Sequence, residues 1–141
     1  MYSENEYKTV VLLNKKKPLW MVLNGAFHAT LGLGSISSTE IDFLNYTNAD
    51  GENTSVSRYP VIVLRARNID LLKVYKESSL IADVKIQYFI EEMISSSSEK
   101  QIEATASSSL DSAEILSVSL FGKSTEIDHV ISKLSTVRDT W

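Results

Sequence analysis

Residues 21–32 hold the side chains whose types and spacing are best suited to chemistry. Positions three, four or seven apart share one face of a helix, and here that face would present Met21, Asn24, Gly25, His28 and Gly32. A side-chain amide one turn from an imidazole can fix the ring tautomer, so that the ring acts as a general base or holds a ligand. The alternative is a packed, hydrogen-bonded histidine beside glycines that admit another backbone.

Glu91 and Glu92 are the candidates for an acidic partner of His28. They follow a predicted strand, and because neighbouring strand residues point to opposite faces, at most one of them can face the histidine. Their alternative role is solvation of a sheet edge. The catalytic candidates are therefore His28, Asn24, Glu91 and Glu92. Whether the chain is an enzyme stays open, and a hydrolase is the class these residues would serve.

Other chemical signals are weak, and we expect neither a cofactor nor a metal. The chain contains no cysteine, which excludes disulfides, thiolate nucleophiles and cysteine-ligated metals. Gly32 and Gly34 lack the third glycine and the preceding strand of a dinucleotide fingerprint, and no phosphate-loop lysine follows a glycine cluster. No serine lies in a Gly-x-Ser-x-Gly elbow. His129 has no matching cluster and is expected on the surface.

The composition predicts one globular domain over residues 1–141. The length is common for a domain, and 43% apolar with 23% charged residues is ordinary usage. A net charge of -4 disfavours nucleic-acid binding, and the one basic run, Lys15, Lys16 and Lys17, is expected to be a solvated turn. The start of the chain lacks a signal-peptide pattern, and the most apolar stretch, residues 19–33, is shorter than the roughly 20 residues that a bilayer needs. We expect a cytoplasmic protein without a membrane span.

The elements that must position the candidates alternate between strand and helix. Apolar runs and period-two patterns predict strands at residues 7–13, 41–46, 61–64, 84–93 and 115–121. Helical spacing predicts helices at residues 18–33, 69–79 and from 124 onward. This order is typical of a layered α/β domain with a mixed sheet.

Three details of this layout can be tested by a structure. Leu23, Phe27 and Leu31 occupy a face of the first helix that is expected to bury its leucines on the sheet. Asn68 is expected to cap the second helix. Residues 95–109 are serine-rich and are predicted to be an exposed loop or a short mobile helix.

Several segments together resemble a known family, the domains of unknown function numbered two thousand. The resemblance covers nearly the whole chain, and that family is similar in fold to the archaeal and eukaryotic type of peptidyl-tRNA hydrolase. It therefore implies a three-layer α/β/α sandwich around a mixed four- to five-stranded sheet, of the peptidyl-tRNA hydrolase II type. The segments that carry the resemblance are Lys8-Thr9-Val10-Val11, residues 23–32, residues 60–64, Glu92-Met93 and Leu120-Phe121-Gly122.

The same resemblance argues against tRNA hydrolysis. It places the hydrolase's histidine on His28 but its lysine on Met21, which cannot donate a charge-assisted hydrogen bond. The loop that carries the hydrolase's aspartate and threonine corresponds to residues 91–95, where neither residue is found. His28 with Glu91 or Glu92 could support a different hydrolytic step.

Three functions remain open from the sequence. The first is a ligand-binding or regulatory module, using the Asn24 and His28 face under residues 48–53, with an unknown small molecule or protein as partner. The second is an ester or amide hydrolase related to peptidyl-tRNA hydrolase. The third is a protein-interaction or oligomerising domain, with a homodimer formed through an exposed strand edge.

Overall fold

A computed structural model describes residues 6–36, 41–94 and 97–136 of the chain. The strands are β1 (Tyr7–Asn14), β2 (Phe43–Thr47), β3 (Asn53–Ser57), β4 (Val61–Ala66), β5 (Lys85–Ile90), β6 (Ile115–Lys123) and β7 (Ser135–Thr136). The helices are α1 (Leu19–Gly32), α2 (Asn68–Ser79), α3 (Ser98–Ala106) and α4 (Ser124–Ile131), with short 3₁₀ segments at Leu33–Ile36 and Glu91–Met93.

Five strands form one mixed sheet in the order β5-β6-β1-β4-β7. β1 is parallel to β4, and both β1 and β5 are antiparallel to β6, so β1, β4 and β5 run in the same direction. The carboxyl ends of these three strands therefore lie at one end of the sheet, where α/β proteins usually bind ligands. The prediction of an α/β fold with a mixed sheet is confirmed.

Helices cover both faces of this sheet. β1 is buried on both sides, as its unbroken apolar run predicts. On one face Val11 and Leu13 pack against α1, and on the other Val10 and Leu12 belong to the core that α2 and α4 complete. The result is three layers, with α1 alone on one side.

The strand predicted at residues 41–46 forms, but it lies outside the main sheet. Among the described strands, β2 pairs with β3 alone, in a separate two-stranded hairpin. The side-chain oxygen of Asn48 accepts hydrogen bonds from the backbone N–H groups of Asp50 and Glu52, both at 2.9 Å, and Gly51 adopts a φ of 85°. This is the turn chemistry that Asn and Gly favour. β3 is polar and exposed, which explains why no apolar pattern predicted it.

The predicted orientation of α1 is wrong. Leu23, Phe27 and Leu31 are exposed, and the helix instead buries the small residues Gly25 and Ala26 together with Val22 and Ala29. The reason is a close approach between helix and sheet, since a Cβ added at Gly25 would lie 2.7 Å from the ring of Phe89. Only a face of small side chains fits that spacing.

Two other local predictions need correction. Asn68 does not cap α2; it is the first residue of the helix, and Arg67 occupies the N-cap position without a side-chain hydrogen bond. The strand predicted at residues 84–93 ends at Ile90 and continues as a 3₁₀ turn.

Within residues 95–109 a helix, α3, does form after Ser97, whose hydroxyl accepts a hydrogen bond from the N–H of Lys100 at 3.3 Å. Ser95 and Ser96 lie outside the described residues.

Candidate functional site

A pocket of about 470 Å³ opens beyond the carboxyl end of β5. The strand order places this pocket at the end of the sheet that the parallel strands share, and α3 forms its opposite wall. We call it the carboxyl-end pocket. Its lining residues are Glu91, Glu92, Ile94, Lys100, Gln101, Ala104, Ser112 and Glu114.

Lys17 connects two of the carboxylates in this pocket. Its ammonium lies 2.9 Å from Oε1 of Glu91 and 3.5 Å from Oε2 of Glu114. The turn after β1 supplies the lysine, the end of β5 supplies Glu91, and the residue before β6 supplies Glu114. The hydrogen bond to Glu91 raises the pKa of Lys17 above the ordinary lysine value, and burial opposes this shift only in part. Lys17 is therefore charged throughout the physiological range.

Glu92 is held in a different way. Its Oε2 accepts a hydrogen bond from the hydroxyl of Ser108 at 3.2 Å. Its Oε1 is shielded from solvent and has no hydrogen-bond partner among the residues that the structure describes. A carboxylate oxygen that is removed from water without a donor raises the free energy of the site.

Asn24 and His28 lie elsewhere, on the outward side of α1. Both side chains are exposed, and the His28 ring stacks on Phe89 with ring centroids 5.5 Å apart and an angle of 13° between planes. No hydrogen bond joins Asn24 to His28, and neither residue lines the carboxyl-end pocket. No hydrogen bond or ion pair links His28 to either glutamate within residues 6–36 and 41–94. The structure thus brings Glu91 and Glu92 into one pocket but places the other two candidates on a separate surface.

Sequence reasoning missed the other charged lining residues, Lys100 and Glu114, and it missed Lys17, which pairs with two of the lining carboxylates. Lys17 ends the basic run for which the sequence predicts a solvated turn. Glu114 immediately precedes a predicted buried strand, and an antiparallel pairing of that strand with β5 would have placed it near Glu91. Lys100 lies in the segment where the sequence left the choice between loop and helix open.

The described residues contain no cluster of three or more His, Cys, Asp or Glu side chains that could hold a metal ion. One stretch, Leu19–Ile36, is long and apolar enough to cross a membrane by length and composition alone, with a mean hydropathy of 1.2. In the fold, 28% of this stretch is buried, through the face that packs on the sheet.

The ion pairs of Lys17 predict a dependence of stability on alkaline pH. A lysine whose pKa is raised in the folded state stabilises the fold below 10.5, its ordinary value, and loses that contribution as the pH rises through the raised value. We expect Lys17→Gln to lower the free energy of unfolding at neutral pH by no more than about 1 kcal/mol, because solvent screens the pairs. The difference from the native chain should shrink as the pH rises past 10.5 and vanish only above the raised pKa of Lys17.

Urea unfolding of both proteins across this pH range measures the effect. Lys73→Gln is the matched control, because the Lys73 ammonium is exposed and lies 4.0 Å from its partner Glu77. A difference between Lys17→Gln and the native chain that stays constant into the alkaline range would contradict the assignment.

Comparisons with known proteins add a family and a fold. The family model described as "Protein of unknown function (DUF2000)" matches residues 7–138. The structure of the protein of unknown function Atu0240 from Agrobacterium tumefaciens strain C58 is similar, with a TM-score of 0.80 and 18% sequence identity, over 94% of this chain and 98% of that one. No curated protein is detectably similar to the chain. At this identity the structural likeness shows the fold alone.

Proposed function

Because the chain belongs to the DUF2000 family, whose function is unknown, we propose a function from the geometry of its own residues: it is a small-molecule-binding module that uses the carboxyl-end pocket. The observation that carries this proposal is a pocket of about 470 Å³ beyond the carboxyl end of β5, at the end of the sheet where β1 and β4 also end. That volume is within the range of ordinary ligand sites, about 300–1,000 Å³.

A peptidyl-tRNA hydrolase II-like scaffold also belongs to the proposal, and the three layers around a mixed sheet support it. A cytoplasmic location belongs to the proposal too, and the lack of cysteine supports it.

The charges around the pocket favour a cationic ligand. Glu91, Glu92 and Glu114 supply three carboxylates, whereas Lys17 and Lys100 supply two ammonium groups. Lys17 is shared between Glu91 and Glu114, so Glu92 is the carboxylate of the lining at which a further positive charge is best placed. We therefore propose a primary amine as the group that the pocket recognises.

The rest of the lining suits a short aliphatic chain on that amine. Ile94 and Ala104 provide apolar contacts, and the hydroxyl oxygen of Ser112 can accept a hydrogen bond from a second polar end. A linear diamine or an amino alcohol of a few carbons has this combination of features. Large aromatic cations are a poorer match, since no aromatic side chain lines the pocket.

Thermal-shift titration with putrescine tests this function. We expect the diamine to raise the melting temperature by a few degrees at saturation, because a ligand that binds only the folded state stabilises it. Butane-1,4-diol, which has the same carbon chain without charge, should produce no shift. Glu92→Gln should abolish the shift, and Glu103→Gln, a change of the same charge on α3 outside the lining, should retain it.

The same titration distinguishes binding in the carboxyl-end pocket from binding at His28 on α1. His28→Ala should leave the putrescine shift unchanged, because His28 does not line the pocket. A shift that disappears in His28→Ala and persists in Glu92→Gln would place the ligand on α1 instead. Absence of a shift with putrescine, spermidine and ethanolamine would remove the proposed function. We do not propose hydrolysis, since no described contact gives His28 an acidic partner.

A further inference from the structure

The outward face of α1 is an exposed apolar surface. Trp20, Leu23, Phe27 and Leu31 recur every three or four residues, and 63%, 37%, 66% and 81% of their respective surfaces are exposed. We call these four residues the α1 stripe. The opposite face of the helix is already packed on the sheet, so nothing in the described parts of the chain covers the stripe.

Two valines of β4 expose further apolar surface on the same side of the sheet as α1. Val61 and Val63 pair with Thr9 and Val11 of β1, on the sheet face where α1 lies, and both valines are exposed. The α1 stripe by itself leaves on the order of 500 Å² of apolar side chain in water. Patches of this size are at the upper limit for monomeric proteins and usually mark an interaction site.

We propose that a second copy of this chain covers the α1 stripe, through antiparallel packing of two α1 helices about a two-fold axis. A standard interface buries about 800 Å² on each partner, and roughly two-thirds of a homodimer interface is apolar. The area that the α1 stripe exposes is close to the apolar part of such an interface.

The chemistry of the stripe favours another apolar surface over charged partners. Residues 19–36 contain no Asp, Glu, Lys or Arg, so covering them removes no formal charge from water. Nucleic acids and anionic membranes are bound through basic side chains, which the stripe lacks, and the net charge of -4 repels both.

The pattern is also complementary to itself. A two-fold axis passing between residues 25 and 26 sets Trp20 of one copy against Leu31 of the other, and it brings Leu23 close to Phe27 of the second copy. This is the isologous arrangement of closed dimers.

Sedimentation equilibrium of the full chain over a dilution series tests the proposal. We expect twice the chain mass of 15.7 kDa at high concentration and dissociation on dilution. Phe27→Glu should raise the dissociation constant at least about 100-fold, because it places a charge at the centre of an apolar interface. Leu31→Glu serves as a second variant, and since both positions are exposed in the monomer, each should keep the native circular dichroism spectrum.

Two control experiments test whether the dimer interface lies on the α1 stripe. Leu80→Glu introduces the same charge at a leucine that is 87% exposed beyond α2, and it should stay dimeric. Because the chain contains no cysteine, a single Asn24→Cys should be cross-linked into a dimer by a short bismaleimide, whereas Ser79→Cys should not.

Three results would overturn the proposal. The first is a monomer at every concentration. The second is a dimer that persists in both α1 variants, which would point to the sheet edges at β5 or β7. The third is a chain that is monomeric in solution but is recovered on vesicles of phosphatidylcholine and phosphatidylglycerol through the same stripe.

Discussion

Replacing Asn14 by alanine is expected to lower the free energy of unfolding by about 3 kcal/mol. Asn14 ends β1 with 1% of its surface exposed. Its side-chain nitrogen donates to the carbonyl of Ile115 at 2.8 Å, and its side-chain oxygen accepts from the N–H of Lys16 at 3.0 Å. Alanine leaves both backbone groups without these partners and creates a small void among buried side chains.

Asn68 completes the same network from the other side. Its side-chain oxygen accepts from the N–H of Ile115 at 2.7 Å, and its nitrogen donates to the carbonyl of Ala113 at 3.1 Å. The two asparagines therefore hold the chain where it enters β6, a strand buried along almost its whole length. Because both bind the backbone of Ile115, the double variant Asn14→Ala/Asn68→Ala should cost less than the sum of the single variants.

Urea unfolding at one low protein concentration measures these losses. Asn24→Ala is the matched control, since Asn24 is exposed on α1 and should change the free energy of unfolding by less than about 0.5 kcal/mol. Equal effects of Asn14→Ala and Asn24→Ala would mean that the buried network does not contribute to stability. Strict additivity of Asn14→Ala and Asn68→Ala would show that the two side chains act independently.

The secondary structure could largely be predicted from the sequence because its signals are local. The apolar run of β1 and the position of Pro18 before α1 specify these elements without reference to the rest of the chain. Which face of α1 is buried on the sheet could not be predicted in this way. Large apolar residues usually mark the buried face, but here the sheet approaches so closely at Gly25 that only small residues fit, a constraint set by Phe89 some 60 positions later.

The candidate site was predicted in part for a related reason. Glu91 and Glu92 were identified because they follow a strand, and they do line a pocket. Pairing them with His28 required a distance across the fold that sequence spacing does not contain. The partners that the structure supplies, Lys17 and Glu114, come from the ends of β1 and β6, and only the strand order brings these ends together.

The contact between α1 and β5 predicts the second large effect. Gly25→Val is expected to lower the free energy of unfolding by about 2–3 kcal/mol, because the new Cβ would lie 2.7 Å from Cδ1 of Phe89 and 3.4 Å from Cβ of Leu116. Gly25→Ala should cost less, since alanine adds one atom and gains about 1 kcal/mol of helix propensity. Gly34→Val should be nearly neutral, because nothing lies within 4 Å of a Cβ at Gly34.

NMR signals near the Phe89 ring should show directly whether Gly25→Val displaces that ring. It stacks on His28, so a displaced ring changes the ring-current shift of the His28 imidazole protons, while His129 on α4 serves as an internal reference. Removing the Phe89 ring tests whether its contact with residue 25 causes the loss of stability in Gly25→Val. In a Phe89→Ala background, Gly25→Val fills part of the space that the ring vacates and should cost at least 1 kcal/mol less than in the native chain. Equal costs in the two backgrounds would mean that another contact sets the spacing between helix and sheet.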